Sequence, residues 1–216
     1  MNKSKLIRII RNALELDDFK PIGVGAGVMS LRRKRKDTKE EIVFQYLKFP
    51  GIYILKPVVT GWKSFNNIES ILEGYYLKNN INYRDVTIHF KSRREEEMLK
   101  FKIRTEEDVI ELLPLLKDMV KDVLSFFDEY SNLIEVHKRI TQLETKELAN
   151  FVRNAPHPRI MVIKRIVGAE DWASYCEEVI DIYRRQSEGK HGAVFSPIYK
   201  FLPALYEELK NYNPPN

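Results

Sequence analysis

Little in this chain of 216 residues announces chemistry, and what is missing bounds the answer first. There is one cysteine, Cys176, so no disulfide can close within the chain, and such usage suits a reducing compartment. No uninterrupted apolar run reaches membrane-spanning length, so no membrane insertion is expected. The opening MNKSKLIRIIRNALELDDF carries charges every few residues. It lacks the apolar core of a secretory signal, reads as a folded segment, and leads to the expectation of a cytoplasmic protein.

The familiar site signatures are missing too. The four histidines, His89, His137, His157 and His191, form no HExxH or other short ligand spacing, so neither a metal nor a cofactor is expected. GVGAG at 23–27 invites a phosphate-loop reading, but no GK[ST] follows and the spacing is not GxGxxG. It reads as a permissive turn. Cys176 stands among acidic residues, which disfavour a thiolate, so it reads as an inert thiol. Acidic pairs such as Glu177 and Asp181 sit at helical spacing and read as solvated helix faces, not as opposed acid and base.

What is present describes a folded protein: 44% hydrophobic and 31% charged residues, enough for a core without staples. The net charge of +5 is unevenly spread. Residues 1–108 hold 22 Lys or Arg against 15 Asp or Glu, a balance of +7, and residues 109–216 come to −2. A basic first half favours an anionic partner without naming one.

The periodicities predict an α+β protein: a mainly antiparallel sheet in the first half packed with helices, and a helical second half. A helix is expected over 3–16 from Leu6, Ile9, Ile10, Ala13 and Leu14. Strands are expected over 24–33, 41–49 and 52–59, with Pro50-Gly51 as a type II turn. Asn67 is expected to cap a short helix running to Lys78. VTIHF at 86–90 and MLKFKI at 98–103, joined through KSRREEE, predict a second hairpin. From Thr105 the period becomes helical to about residue 128, with Thr105 and Asp108 as a cap and Pro114 as a kink or break. Further helices are expected over 132–143, 145–153, 159–167, 170–185 and 197–210, the last opened by Ser196-Pro197, before a frayed NYNPPN tail. Residues 1–216 form one compact domain in this reading, with a possible subdivision into 1–104 and 105–212.

Residues 32–36, RRKRK, lie between two apolar strands and read as the wet tip of a hairpin, with stems covering apolar surface and charges in water. Should the tip approach an anion, Arg32, Arg33, Lys34, Arg35 and Lys36 would lead, aided by Arg93 and Arg94. Trp62, Tyr76 and Trp172 are candidate protein-interface aromatics if they reach the surface.

In the order of its elements, a strand-rich stretch ending at FKIRTEEDV followed by LPLLKDMVKDVLSFFDEYSNLIE, the chain resembles an uncharacterised family of small bacterial intracellular α+β proteins. Some members of related uncharacterised groups are suspected immunity or accessory proteins. The resemblance spans roughly residues 3–140, implies a bacterial cytoplasmic origin, and transfers no site residue. The leading expectation is therefore a non-enzymatic interaction or accessory protein. Nucleic-acid binding through the basic hairpin is the first alternative, and an unusual hydrolase near His157 or His191 the second.

Overall fold

A computed structural model describes residues 2–22, 27–94, 101–153, 155–190 and 192–213. The α+β expectation holds: a six-stranded antiparallel sheet in the first half, with most helices in the second. By contact the chain divides into two compact units. Unit 1 comprises Met1–Lys63 with Ile88–Glu129, and unit 2 comprises Ser64–Thr87 with Tyr130–Asn216.

In unit 1, α1 (Lys3–Ala13) begins where the Asn2 side chain accepts the Lys5 amide at 2.8 Å, and its stripe of Leu6, Ile7 and Ile10 is buried. The sheet is a meander of β1 (Lys20–Ile22), β2 (Val28–Lys34), β3 (Thr38–Phe49), β4 (Ile52–Phe65) and β5 (Ile88–Arg93). Of the expected strand 24–33, residues 24–26 lie outside the described residues. The β3–β4 turn is the expected Pro50-Gly51, with Gly51 at φ 71°, where a side chain would be strained.

β4 runs six residues beyond its expected end at Val59. The extension, TGWKSF, is polar and contains glycine, so it reads as loop, yet Gly61 is there for close packing. A Cβ at Gly61 would stand 2.6 Å from Val123 Cγ1, a residue of α3 (Glu106–Glu129). Only a bare backbone fits beneath that helix.

Among the described residues, the two arms of the expected second hairpin do not pair with each other. β5 and β6 (Lys102–Ile103) both pair with β4, in tandem along one edge: Val58 to Lys63 face Arg93 to Ile88, and Tyr53 and Ile54 face Ile103 and Lys102. Residues 95–100 of the expected connection lie outside the described residues. Alternation fixes which way a side chain points but not which strand it meets, and the long β4 offers partners to both segments.

Helix α3 is capped as expected: Asp108 accepts the amides of Arg104 and Thr105 at 2.6 and 2.8 Å, and Thr105 accepts that of Asp108 at 3.4 Å. It continues through Pro114 without the expected break. Pro114 lies on the exposed side, where water can serve the carbonyl that loses its donor.

In unit 2, α2 (Asn66–Lys78) starts one residue ahead of the expected Asn67 cap. It is followed by α4 (Leu133–Ile140), α5 (Thr145–Phe151), α6 (Pro156–Ile166), α7 (Trp172–Glu188), α8 (Gly192–Tyr199) and α9 (Leu202–Lys210). The expected helix 197–210 is two helices. Pro197 falls inside α8, and the start belongs to α9, with Pro203 in its first turn. Either proline suits a first helical turn, so the sequence marks two candidates where only one is used.

The centre of unit 2 is an ion pair. Arg159, 0% exposed, donates from Nε and Nη2 to the two Glu69 carboxylate oxygens at 3.0 and 2.7 Å. Its remaining donors reach the carbonyls of Arg153 and Arg84, while Thr87 and Tyr83 hydroxyls donate to Glu69 at 2.7 and 2.9 Å. Satisfying so many donors and acceptors is what makes a buried charge pair tolerable.

A candidate polyanion-binding face

Strand alternation splits the basic run in two. Lys63 donates to Glu40 at 2.9 Å and to the Phe127 carbonyl of α3 at 2.7 Å. Lys63 and Glu40 therefore mark the helix-covered face of the sheet. Arg33, opposite Glu40, shares that face and donates to Glu40 at 2.7 Å and to Asp18 at 2.6 Å. Burial alone would raise the Glu40 carboxyl, but the bonds and charges of Lys63 and Arg33 outweigh it and hold it below its ordinary value. Burial also pulls the Lys63 ammonium down, with Glu40 opposing.

The neighbours of these residues in sequence point the other way. On β2 they are Arg32 and Lys34, and on β3 Lys39 and Glu41; Lys20 of β1 stands opposite Arg32. On β4 they are Lys56, Val58, Thr60 and Trp62, facing His89, Lys91 and Arg93 of β5, with Lys102 of β6 opposite Ile54. Among the described residues this outer face thus carries eight Lys or Arg side chains and one carboxylate, Glu41. Lys20, Lys34, Lys56, Lys91 and Arg93 are exposed. The middle of the face is sequestered, with Ser30, Val43, Thr60 and His89 at most 3% exposed, so the cations form a rim. Half-buried Trp62 and exposed Phe49 supply aromatic surface on the same side.

The sequence candidates are distributed unevenly over this geometry. Arg32, Lys34 and Arg93 reach the outer face, where Arg32 donates to Glu41 from Nε and Nη2 at 3.3 and 3.0 Å. Arg35 and Lys36 are exposed in the β2–β3 turn, and Arg35 lies 3.4 Å from Glu40. Arg94 turns to α3, pairing with Asp118 and Asp122. The expected wet tip is therefore mostly strand, and two of its five cations lean on Glu40. Lys20, Lys39, Lys56, Lys91 and Lys102 escaped notice because they are scattered in sequence. Their signal was a period of two on separate strands.

Tyr76 is not an interface residue. It is 1% exposed and its ring lies 5.6 Å from the Arg159 guanidinium, with burial raising its hydroxyl to about 12. Trp172 is half-buried within unit 2, donating to the Met161 carbonyl at 3.0 Å with Arg165 over its ring at 5.1 Å.

His157 lies in the first turn of α6. Its Nδ1 is 2.9 Å from the Tyr175 hydroxyl, and the ring meets Tyr183 edge-on. Burial depresses its pKa. His191 lies outside the described residues. Among the described residues no cluster of three or more His, Cys, Asp or Glu side chains is placed to hold a metal ion, and no helix is long and apolar enough to cross a membrane.

Charge follows the two units. Unit 1 holds 22 basic against 17 acidic residues, and unit 2 holds 14 of each, so the whole excess belongs to the unit that carries the sheet. The chain matches no protein-family model, no curated protein and no solved structure.

Proposed function

We propose that this chain is a non-enzymatic binding protein whose cationic rim around the outer sheet face takes up a polyanionic strand, with single-stranded nucleic acid as the partner the geometry favours. The observation that carries the reading is eight cations against one carboxylate among the described residues of a single sheet face. Phosphate attraction requires such density, and Trp62 and Phe49 offer surfaces on which unpaired bases can stack. The reading takes up the nucleic-acid alternative in place of the leading expectation of an intracellular interaction or accessory protein, with the contact moved from the basic hairpin to the sheet. A bacterial cytoplasmic setting belongs to it, in keeping with a lone, buried and unbridged Cys176.

The test is the binding of fluorescent single-stranded oligonucleotides across a salt series. Lys34→Ala/Lys91→Ala/Arg93→Ala removes three rim charges and should weaken binding at least tenfold, flattening the slope of log K against log salt by roughly 2. Lys146→Ala/Lys190→Ala/Lys200→Ala, three exposed positions of unit 2, removes the same charge and should change binding little. Equal losses in both variants, or binding indifferent to salt, would overturn the proposal, as would specific turnover of a defined substrate.

A further inference from the structure

Beside the basic face, α1 and the edge strand β1 enclose an open groove of about 490 Å³. Its walls are Lys3, Ser4, Ile7, Arg8 and Arg11 of α1, with Pro21 and Ile22 of β1. Positions 4, 7, 8 and 11 share one helix face, so the hydroxyl, the apolar floor and two guanidiniums line up along the opening. Helix α1 has no acidic residue. Lys5, on its next face, is engaged by Glu106. Among the described residues Arg11 donates to the neutral Asn12 amide, at 3.3 and 3.1 Å, which orients the guanidinium without cancelling its charge.

An added peptide strand is a poor occupant, because β1 is three residues long and Pro21 offers no amide donor to a new neighbour. A flat ring on Ile7, Pro21 and Ile22 with a phosphate between Arg8 and Arg11 uses both the apolar floor and the two guanidiniums, which suit phosphate. The groove size is that of a small-ligand site. Lys20, the residue before Pro21, stands on the basic face, so a strand lying there runs out toward the groove at the sheet edge.

We infer that this groove holds a phosphate-bearing nucleotide unit, either free or as the phosphorylated end of the strand bound on the sheet. The identity of the ligand rests on the sheet-face reading, but the site can be tested apart from it. Calorimetry would compare a nucleoside monophosphate with the matching nucleoside, and anisotropy would compare oligonucleotides with and without a terminal phosphate. Both would be run on the wild type, on Arg8→Gln/Arg11→Gln and on the triple rim variant, each first checked for an unchanged thermal midpoint. The phosphate should strengthen binding about tenfold or more. The groove variant should lose this preference, and the rim variant should keep it for the monophosphate.

Monophosphate binding without oligonucleotide binding would keep the groove and remove the sheet-face reading. Oligonucleotide binding with no phosphate preference, or a preference untouched by Arg8→Gln/Arg11→Gln, would overturn the groove and leave the sheet-face reading standing.

Discussion

Arg32 and Glu41 stand opposite each other on adjacent strands, joined from Nε and Nη2 to one carboxylate oxygen. Through that pair the outer face spends one cation on the one acid that its described residues carry. Glu41→Gln should therefore tighten oligonucleotide binding several-fold and steepen the salt slope by about 0.7, the increment of one phosphate on a single strand. Anisotropy over a salt series reads both. Weaker binding would mean that Glu41 organises the site more than it opposes a ligand.

Gly61 and Gly74 should respond to alanine with opposite signs. At Gly61 the new methyl meets Val123 and Phe127, an overpacking that costs about 1–3 kcal/mol. Gly74 in α2 has nothing within 4 Å, so alanine there should stabilise by about 0.5–1 kcal/mol through helix preference. Urea denaturation of the two variants checks the contrast.

Removing one partner of the Glu69–Arg159 pair should be far worse than removing both. Glu69→Gln strands a fully buried guanidinium and should cost about 3–5 kcal/mol, whereas Glu69→Leu/Arg159→Met should recover most of it. A double variant no better than the single would show that the hydrogen bonds from Thr87 and Tyr83 matter more than the charges.

Glu40 predicts an acid sensitivity with a definite sign. Its carboxyl is held below the ordinary 4.5, so the folded state binds its proton less readily than the unfolded chain does. The resulting stability is complete above pH 4.5 and is lost as pH falls through the depressed value. Urea midpoints measured downward from pH 5 should drop for the wild type, and Glu40→Gln should lack that part of the drop.

Cys176 should be silent in the native protein. Burial, then the neighbouring Glu177, pushes its thiol up to about 12, leaving almost no thiolate near neutrality. A disulfide reagent at pH 8 should label it only in denaturant. Prompt labelling of the native protein would contradict its burial.

The sequence was most readable where side chains repeat with one clear period. Helix α3 and its Thr105–Asp108 cap, the Pro50-Gly51 turn and the division between sheet and helices all follow from local pattern. The end of β4 did not, because Gly61 and Lys63 are justified by Val123, Phe127 and Glu40, far away in sequence. The candidate site was half visible. RRKRK drew the eye as a block, but alternation sends Arg33 to buried acids and Arg32 to the outer face. Its partners on that face, Lys56, Lys91 and Lys102, join it only once the strand order is known.

The segment Ser64–Thr87 leaves unit 1 over the last two residues of β4 and returns before β5, yet its unit companions begin at Tyr130. During synthesis, α2 therefore emerges with Ile68, Leu72 and Tyr76 prepared for burial and Glu69 still awaiting a guanidinium encoded 90 residues later. The ribosome must deliver the whole of α3 before that carboxylate meets its counterpart, so the late helices complete an early one and assembly cannot proceed simply from front to back.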